Sequence, residues 1–198
     1  MIIWSSVTPE GVTEKDGRVV PSGEQQRTFA VRTRDFKTFT QAKLFYSPKS
    51  GMSVIDPAIA HDDQGTADKG DDRWVMVIKN EMSETDGGKN LRLLFSDRMQ
   101  GPYDAEPGPP IVGAGTTIVD QMGEGPSLSK HNNLWRLYWD APFSKFSYCL
   151  ATSPDLKHWT NRSTEMSLPL KQMRHGVVLP VPAKAVQRAI TTKPSPGK

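Results

Sequence analysis

The chain has 198 residues, of which 36% are hydrophobic and 24% charged, with a formal net charge of +3. That balance describes a folded globular chain rather than a disordered one, and the scattered Lys and Arg exclude the basic stripe of a nucleic-acid surface. No apolar run approaches the ~18 residues of a membrane span, "MIIW" is too short and lacks the basic start of a secretion signal, and the lone Cys149 excludes an intrachain disulfide or a cysteine-based zinc site.

Frequent Gly and Pro, 16 of each, suit many short elements joined by turns. The first stretch, "IIWSSV" to "RTFAVRTRDFKTF", predicts the second to fourth strands of a four-stranded unit. The polar stretch Gly11 to Gln26 reads as a loop within it. "DPAIAHDD", "DRWVMVIKNE", "KNLRLLFSD" and "GPYDAEP" then predict a complete unit over about 53–106. "GPSLSKHN", "NLWRLYWDA", "FSYCLATSPD" and "KHWTNRS" predict another over about 118–163. "RHGVVLPVP" supplies one further strand, and "KAVQRAITTKPSPGK" a weak helix running into a polar end.

The third strand of each unit ends alike, with Ser or Thr, an Asp and a nearby aromatic. Asp35, Asp97 and Asp155 mark these ends about 60 residues apart. Repeated four-stranded units are the mark of a β-propeller. The expected fold is therefore all-β: an incomplete propeller of about three blades plus one strand over 1–182, with a tail over 183–198. Propellers close with at least four blades, and an open ring exposes strand edges. The expectation is a fragment, or a chain whose remaining blades are encoded upstream.

First strands line a propeller's channel. Asp56 in "VIDPAI" and Glu124 in "MGEGPSL" start two such strands, 68 residues apart, and are expected at the same place in consecutive blades, meeting at one end of the channel. Each has a Pro close behind, Pro57 and Pro126, which removes a backbone donor at the rim. Two carboxylates across a concave site are the apparatus of glycoside hydrolysis, and a third acid raises the donor's pKa by like-charge repulsion. The alternative is that both acids cap turns. Trp139 and Asp140 in "LYWDA" border this end of the channel, where Trp139 is either a sugar platform or a core residue. His61, His131 and His158 lie in polar stretches and read as solvated, Cys149 as a small buried residue, and "NRS" at 161–163 as an N-glycosylation match of low specificity.

"TRDFKTFTQAKLFYSPKSGMSVIDPAIAHDD", "WVMVIKNE", "EGPSL", "LWRLYWD", "ATSPDLKHWT" and "RHGVVLPV" together resemble the later blades of glycoside hydrolase family 43, in the right order over most of 1–182. That family holds arabinofuranosidases, xylosidases and arabinanases on a five-bladed propeller, acting by inversion. The resemblance implies that Glu124 is the general acid and that Asp56 tunes its pKa and orients it. It gives Lys79 and Glu81, in "VIKNE", a substrate role, with a surface ion pair as the alternative. It makes His175, in "RHG", the channel histidine, beside substrate and able to hold a calcium ion through water, although no cofactor is required.

The family's base motif, "HDP" or "RDP", does not occur, and neither does "WAPE" or "WAPD". The chain thus resembles an N-terminally truncated member, expected to be weak or inactive alone for want of the base. Its partner would be an arabinose- or xylose-containing glycan, and the full-length protein is expected outside the cytoplasm, secreted or periplasmic. A second reading is a non-catalytic propeller fragment that binds carbohydrate or protein. "SPDLKHWT" also resembles the Asp-containing turn of sialidase propellers, but no arginine cluster accompanies it, so that reading ranks last.

Overall fold

A computed structural model describes residues 1–8, 12–15, 18–21, 25–82, 88–113, 115–116, 118, 122–141, 148–166, 174–179 and 181–191. Among them, strands β1 (Ile2–Val7), β2 (Val12–Lys15), β3 (Arg18–Pro21), β4 (Gln26–Val31) and β5 (Lys43–Tyr46) come first. Then follow β6 (Val54–Asp62), β7 (Arg73–Asn80) and β8 (Asn90–Ser96). The last strands are β9 (Glu124–His131), β10 (Leu134–Asp140), β11 (Tyr148–Ser153) and β12 (Thr160–Asn161), and helix α1 (Ala183–Thr191) ends the described chain.

These strands form three antiparallel blades of an incomplete β-propeller. Blade A has the order β1-β4-β5, blade B β6-β7-β8 and blade C β12-β11-β10-β9, and β2 pairs with β3 in a separate hairpin. The hairpin corrects the loop expected over Gly11 to Gln26: "VTEK" and "RVVP" pair across it from Val12↔Pro21 to Lys15↔Arg18. Two further expected strands are absent from the described residues. "GPYDAEP" gives no strand; instead the chain over 104–112 follows β8 irregularly, through bonds such as Gly108 N to Leu93 O (2.9 Å) and Ile111 N to Leu91 O (2.9 Å). The described part of "RHGVVLPVP" has no strand ladder; the Val178 amide donates to a side chain, Ser127 Oγ, at 3.0 Å.

The packing explains why β7 reads as a continuous apolar run. Val75 and Val77 enter one core with Leu91, Leu93, Leu128, Leu137 and Trp139, between blades B and C. Met76 and Ile78 enter the other with Tyr46, Val54, Leu94 and Tyr103, between blades A and B. A strand buried on both faces has no polar side to show. Each such side chain contributes roughly 1.5–3 kcal/mol through burial.

Two of the three repeat turns are the same structure. Asp35 Oδ1 accepts from the amides of Lys37 and Thr38, both at 2.9 Å. Asp155 Oδ1 accepts from those of Lys157 (2.9 Å) and His158 (2.8 Å). The next residue is left-handed in each, Phe36 at φ 55° and Leu156 at φ 63°. These amide bonds hold Asp35 at a pKa of about 2 and lower Asp155 as well. The blade B turn is built differently: Ser96 Oγ accepts from Arg98 N (3.1 Å) and donates to Arg98 O (2.8 Å).

Candidate functional site

The inner strands of blades B and C carry the same irregularity. In β6 the register steps from Ile55↔Lys79 to Ala58↔Val77, and in β9 from Glu124↔Asp140 to Ser127↔Tyr138. Each is a β-bulge, a left-handed residue followed by proline: Asp56 (φ 53°) before Pro57, and Gly125 (φ 50°) before Pro126. A proline lacks the N–H that the interrupted ladder would leave unpaired. The two bulges are tied together, for Gly125 N donates to Asp56 Oδ2 at 3.0 Å.

This register corrects one expectation. Asp56 matches Gly125, so Glu124 matches Ile55 and the two acids are offset by one position. Lys79 and Asp140 are the true equivalents, each opposite the residue that precedes a bulge. They follow Trp74 and Trp135 at the same spacing in their strands.

Around Glu124 the charges alternate in a continuous line. Lys89 pairs with Glu81 Oε1, and Lys79 Nζ lies 2.7 Å from Glu81 Oε2 and 2.5 Å from Glu124 Oε1. The Lys79–Glu81 contact is a charge contact off the hydrogen-bond axis, since Glu81 Oε2 has no aligned donor. Arg174 Nη2 meets Glu124 Oε2, and Arg174 Nε donates to Asp140 Oδ2 at 3.2 Å. The His175 amide donates to both Asp140 oxygens, at 2.8 and 3.0 Å. The line runs Lys89, Glu81, Lys79, Glu124, Arg174, Asp140. Lys79, Glu124 and Asp140 are well buried, with side-chain exposures of 2%, 15% and 0%, whereas Arg174 is half exposed.

Burial pushes the Glu124 carboxyl up. The Lys79 hydrogen bond and the charges of Lys79, Arg174 and His175 together outweigh it and hold the group below the usual Glu range. This reverses the expected bias of Glu124 toward its protonated form. Asp56 does not act on that carboxyl as a like charge in contact; its own carboxylate bonds the neighbouring amide.

Of the residues singled out in the sequence, Asp56, Lys79, Glu81, Glu124, Asp140 and His175 converge on this rim. Lys79 and Glu81 form an ion pair that is buried and not on the surface, with Lys79 enclosed between two carboxylates. Trp139 is the correction among them. It is 0% exposed and belongs to the core between blades B and C. A Cβ on Gly123 would stand 3.1 Å from its Cδ1, so the bare glycine lets the chain cross the indole closely. Asn161 is also committed, its Nδ2 donating to Ile118 O at 3.0 Å.

A family described as "Probable glycosyl hydrolase domain", related to glycoside hydrolase family 43, matches residues 1–187. The chain belongs to that family. Among solved structures, this family 43-related domain is similar to Zg3597, a family 117 glycoside hydrolase of the marine bacterium Zobellia galactanivorans. The identity is 17% and the TM-score 0.49, covering 77% of this chain and 44% of that one. A variant of the family 43 protein BlXynB from Bacillus licheniformis matches at 14% identity and TM-score 0.33, covering 87% of this chain and 43% of that one. The chain thus spans less than half the length of either. No curated protein matches it.

Among the described residues, the calcium ion that the resemblance admits finds no ready donor set. Among the described residues no group of three or more His, Cys, Asp or Glu is placed to hold a metal ion. Asp140, whose Oδ2 lies 3.8 Å from His175 Nε2, is already shared by Arg174 and the His175 amide. The His175 ring instead packs on Gly125, where a Cβ would stand 2.7 Å from Nδ1. Sequence reasoning missed Arg174 and Lys89. Arg174 directly precedes His175 in "RHG", and its role depends on a contact 50 residues away; Lys89 carries no sequence signal.

Proposed function

We propose that this rim is the sugar site of an inverting glycoside hydrolase acting on arabinose- or xylose-containing glycans. In this reading Glu124 is the general acid and Asp56 orients the bulge that carries it. The observation that supports the reading most is the placement of Glu124. It is a largely buried carboxyl at the start of β9, held between two cations, with its following amide fixed by a second acid.

An acid in this setting starts ionised. It can donate to a glycosidic oxygen only when a bound sugar displaces a cation from it and excludes water, both of which raise a carboxyl's pKa. The base that would activate water has no counterpart among the motifs of this chain, so hydrolysis by the chain alone is expected to be weak or nil.

The test is azide rescue. A small anion can stand in for the water that a missing base fails to activate, forming a bond to the anomeric carbon as the leaving alkoxide takes the Glu124 proton. With an arabinoside or xyloside of a poor leaving group, azide should yield the glycosyl azide of inverted configuration, and Glu124→Gln should abolish it. Product of retained configuration, or rescue unaffected by Glu124→Gln, refutes the assignment. The lowered pKa of Glu124 also favours the second reading, a site that binds sugar without cleaving it. Saturable oligosaccharide binding with no azide product would select that reading.

A further inference from the structure

Asp140 is wholly buried, and a buried carboxylate is costly unless charges or donors surround it. Its partners are not in its own sheet. They come from residues 34 and 35 positions further on: the Arg174 guanidinium and the His175 amide. The segment they belong to has no strand ladder of its own. It is tied down at side-chain contacts: Tyr148 Oη donates to Gly176 O at 2.7 Å, and Val178 N to Ser127 Oγ. His175 itself is left-handed, at φ 49°. Such a backbone is unfavourable for a non-glycine residue and persists only where its surroundings fix it.

We infer that Asp140 is a positioning residue: it pins residues 174–176 as a strap across the rim, so that Arg174 is delivered to Glu124 and His175 closes over Gly125. The inference rests on the reading of Glu124 as the working acid, and it gives the strap a task, to fix the proton affinity of that acid through Arg174. Glu124 is faced by Lys79 from β7, Asp140 from β10 and Arg174 and His175 from the strap, with Asp56 of β6 on the adjoining amide and Glu81 sharing Lys79. Of these, Arg174 is the most exposed ion-pair partner of Glu124 and has the least support from the sheets.

The sign of one pKa change tests this. As a mere neighbouring charge, Asp140 repels the Glu124 anion, so Asp140→Asn would lower the Glu124 pKa. As a positioning residue it brings the Arg174 cation, so Asp140→Asn should raise the Glu124 pKa, by about one pH unit for the loss of one close opposite charge. The readout is the carboxyl carbon resonance of Glu124 against pH in the full chain labelled at glutamate. Arg174→Gln should give the same rise, and adding Asp140→Asn to Arg174→Gln should then lower the value. A fall or no change in Asp140→Asn overturns the inference. Should that variant not fold, amide exchange in the unsubstituted chain decides: a protected His175 N–H supports the strap, and one exchanging at the rate of free peptide overturns it. Oligosaccharides that fail to bind would sink the functional reading and leave this result standing.

Discussion

Replacing Lys79 with Met removes a cation while keeping the length and most of the volume of the side chain. Lys79 Nζ sits 2.5 Å from Glu124 Oε1 and 2.7 Å from Glu81 Oε2, with the side chain 2% exposed. At an effective dielectric near 20, each contact is worth about 6 kcal/mol of attraction, against a desolvation cost of several kcal/mol for each ion. The variant leaves two carboxylates behind, each with one cation remaining: Arg174 for Glu124 and Lys89 for Glu81. The expected loss is therefore at the lower end of the range for breaking a buried pair, about 3 kcal/mol at neutral pH.

That loss should depend on pH in a definite direction. The Glu124 pKa is depressed in the folded chain, so its contribution to stability is present above the unfolded value of 4.5 and is lost as pH falls through the folded value. Urea denaturation followed by tryptophan fluorescence, at neutral pH and again below the folded pKa, measures the difference. The gap between Lys79→Met and the parent should narrow as the pH drops. A difference below about 0.5 kcal/mol at neutral pH, the range of ordinary surface substitutions, or one that stays constant with pH, refutes the buried-bridge argument.

Further outcomes are expected elsewhere. Gly125→Ala would force a Cβ into a φ of 50° and within 2.7 Å of His175 Nδ1; it should cost about 1–2 kcal/mol and shift the His175 ring resonances, and unchanged resonances would count against the packing of strap on bulge. Trp139→Ala should destabilise by about 3–5 kcal/mol, as for a buried aromatic, yet leave oligosaccharide affinity per folded molecule unaltered in calorimetry; a selective loss of affinity would restore the sugar-platform assignment. Asp62→Asn breaks the buried contacts with Arg73 (2.8 Å) and Lys130 (2.8 Å), with an expected loss of about 3 kcal/mol. Burial raises the Asp62 pKa, but the Lys130 and Arg73 bonds lower it further, so the loss should be full above the usual Asp range and fade as pH falls through the folded value.

The strands of blades B and C were legible because their patterns are local. "RWVMVIKN" is apolar enough to be a central strand whatever surrounds it, and Asp35 and Asp155 mark turns that their own neighbours complete. The hairpin of β2 and β3 was missed because its residues look polar, and pairing across a turn leaves little trace in composition. At the site, the acids could be chosen from their apolar surroundings and their nearby prolines. Their offset is written in the same prolines, since Asp56 directly precedes Pro57 while Gly125 stands between Glu124 and Pro126, but only the matching bulges show that the prolines set the register. The sign of the Glu124 shift could not be read, because it depends first on Lys79 and then on Arg174, whose distances along the chain hide their proximity in space.

The double-sided burial of β7 also bears on how the chain unfolds. Repeating arrays gain stability from each unit and from each interface between neighbours. Here both interfaces of blade B draw on the same strands, β7 most heavily, with Val75 and Val77 feeding one core and Met76 and Ile78 the other. A defect in β4 or β10 loosens one boundary, whereas a defect in β7 loosens both, so the middle blade sets the cooperativity of the array. The slowest-exchanging amides of the protein should lie in β7 and should vanish together when either flanking core is damaged.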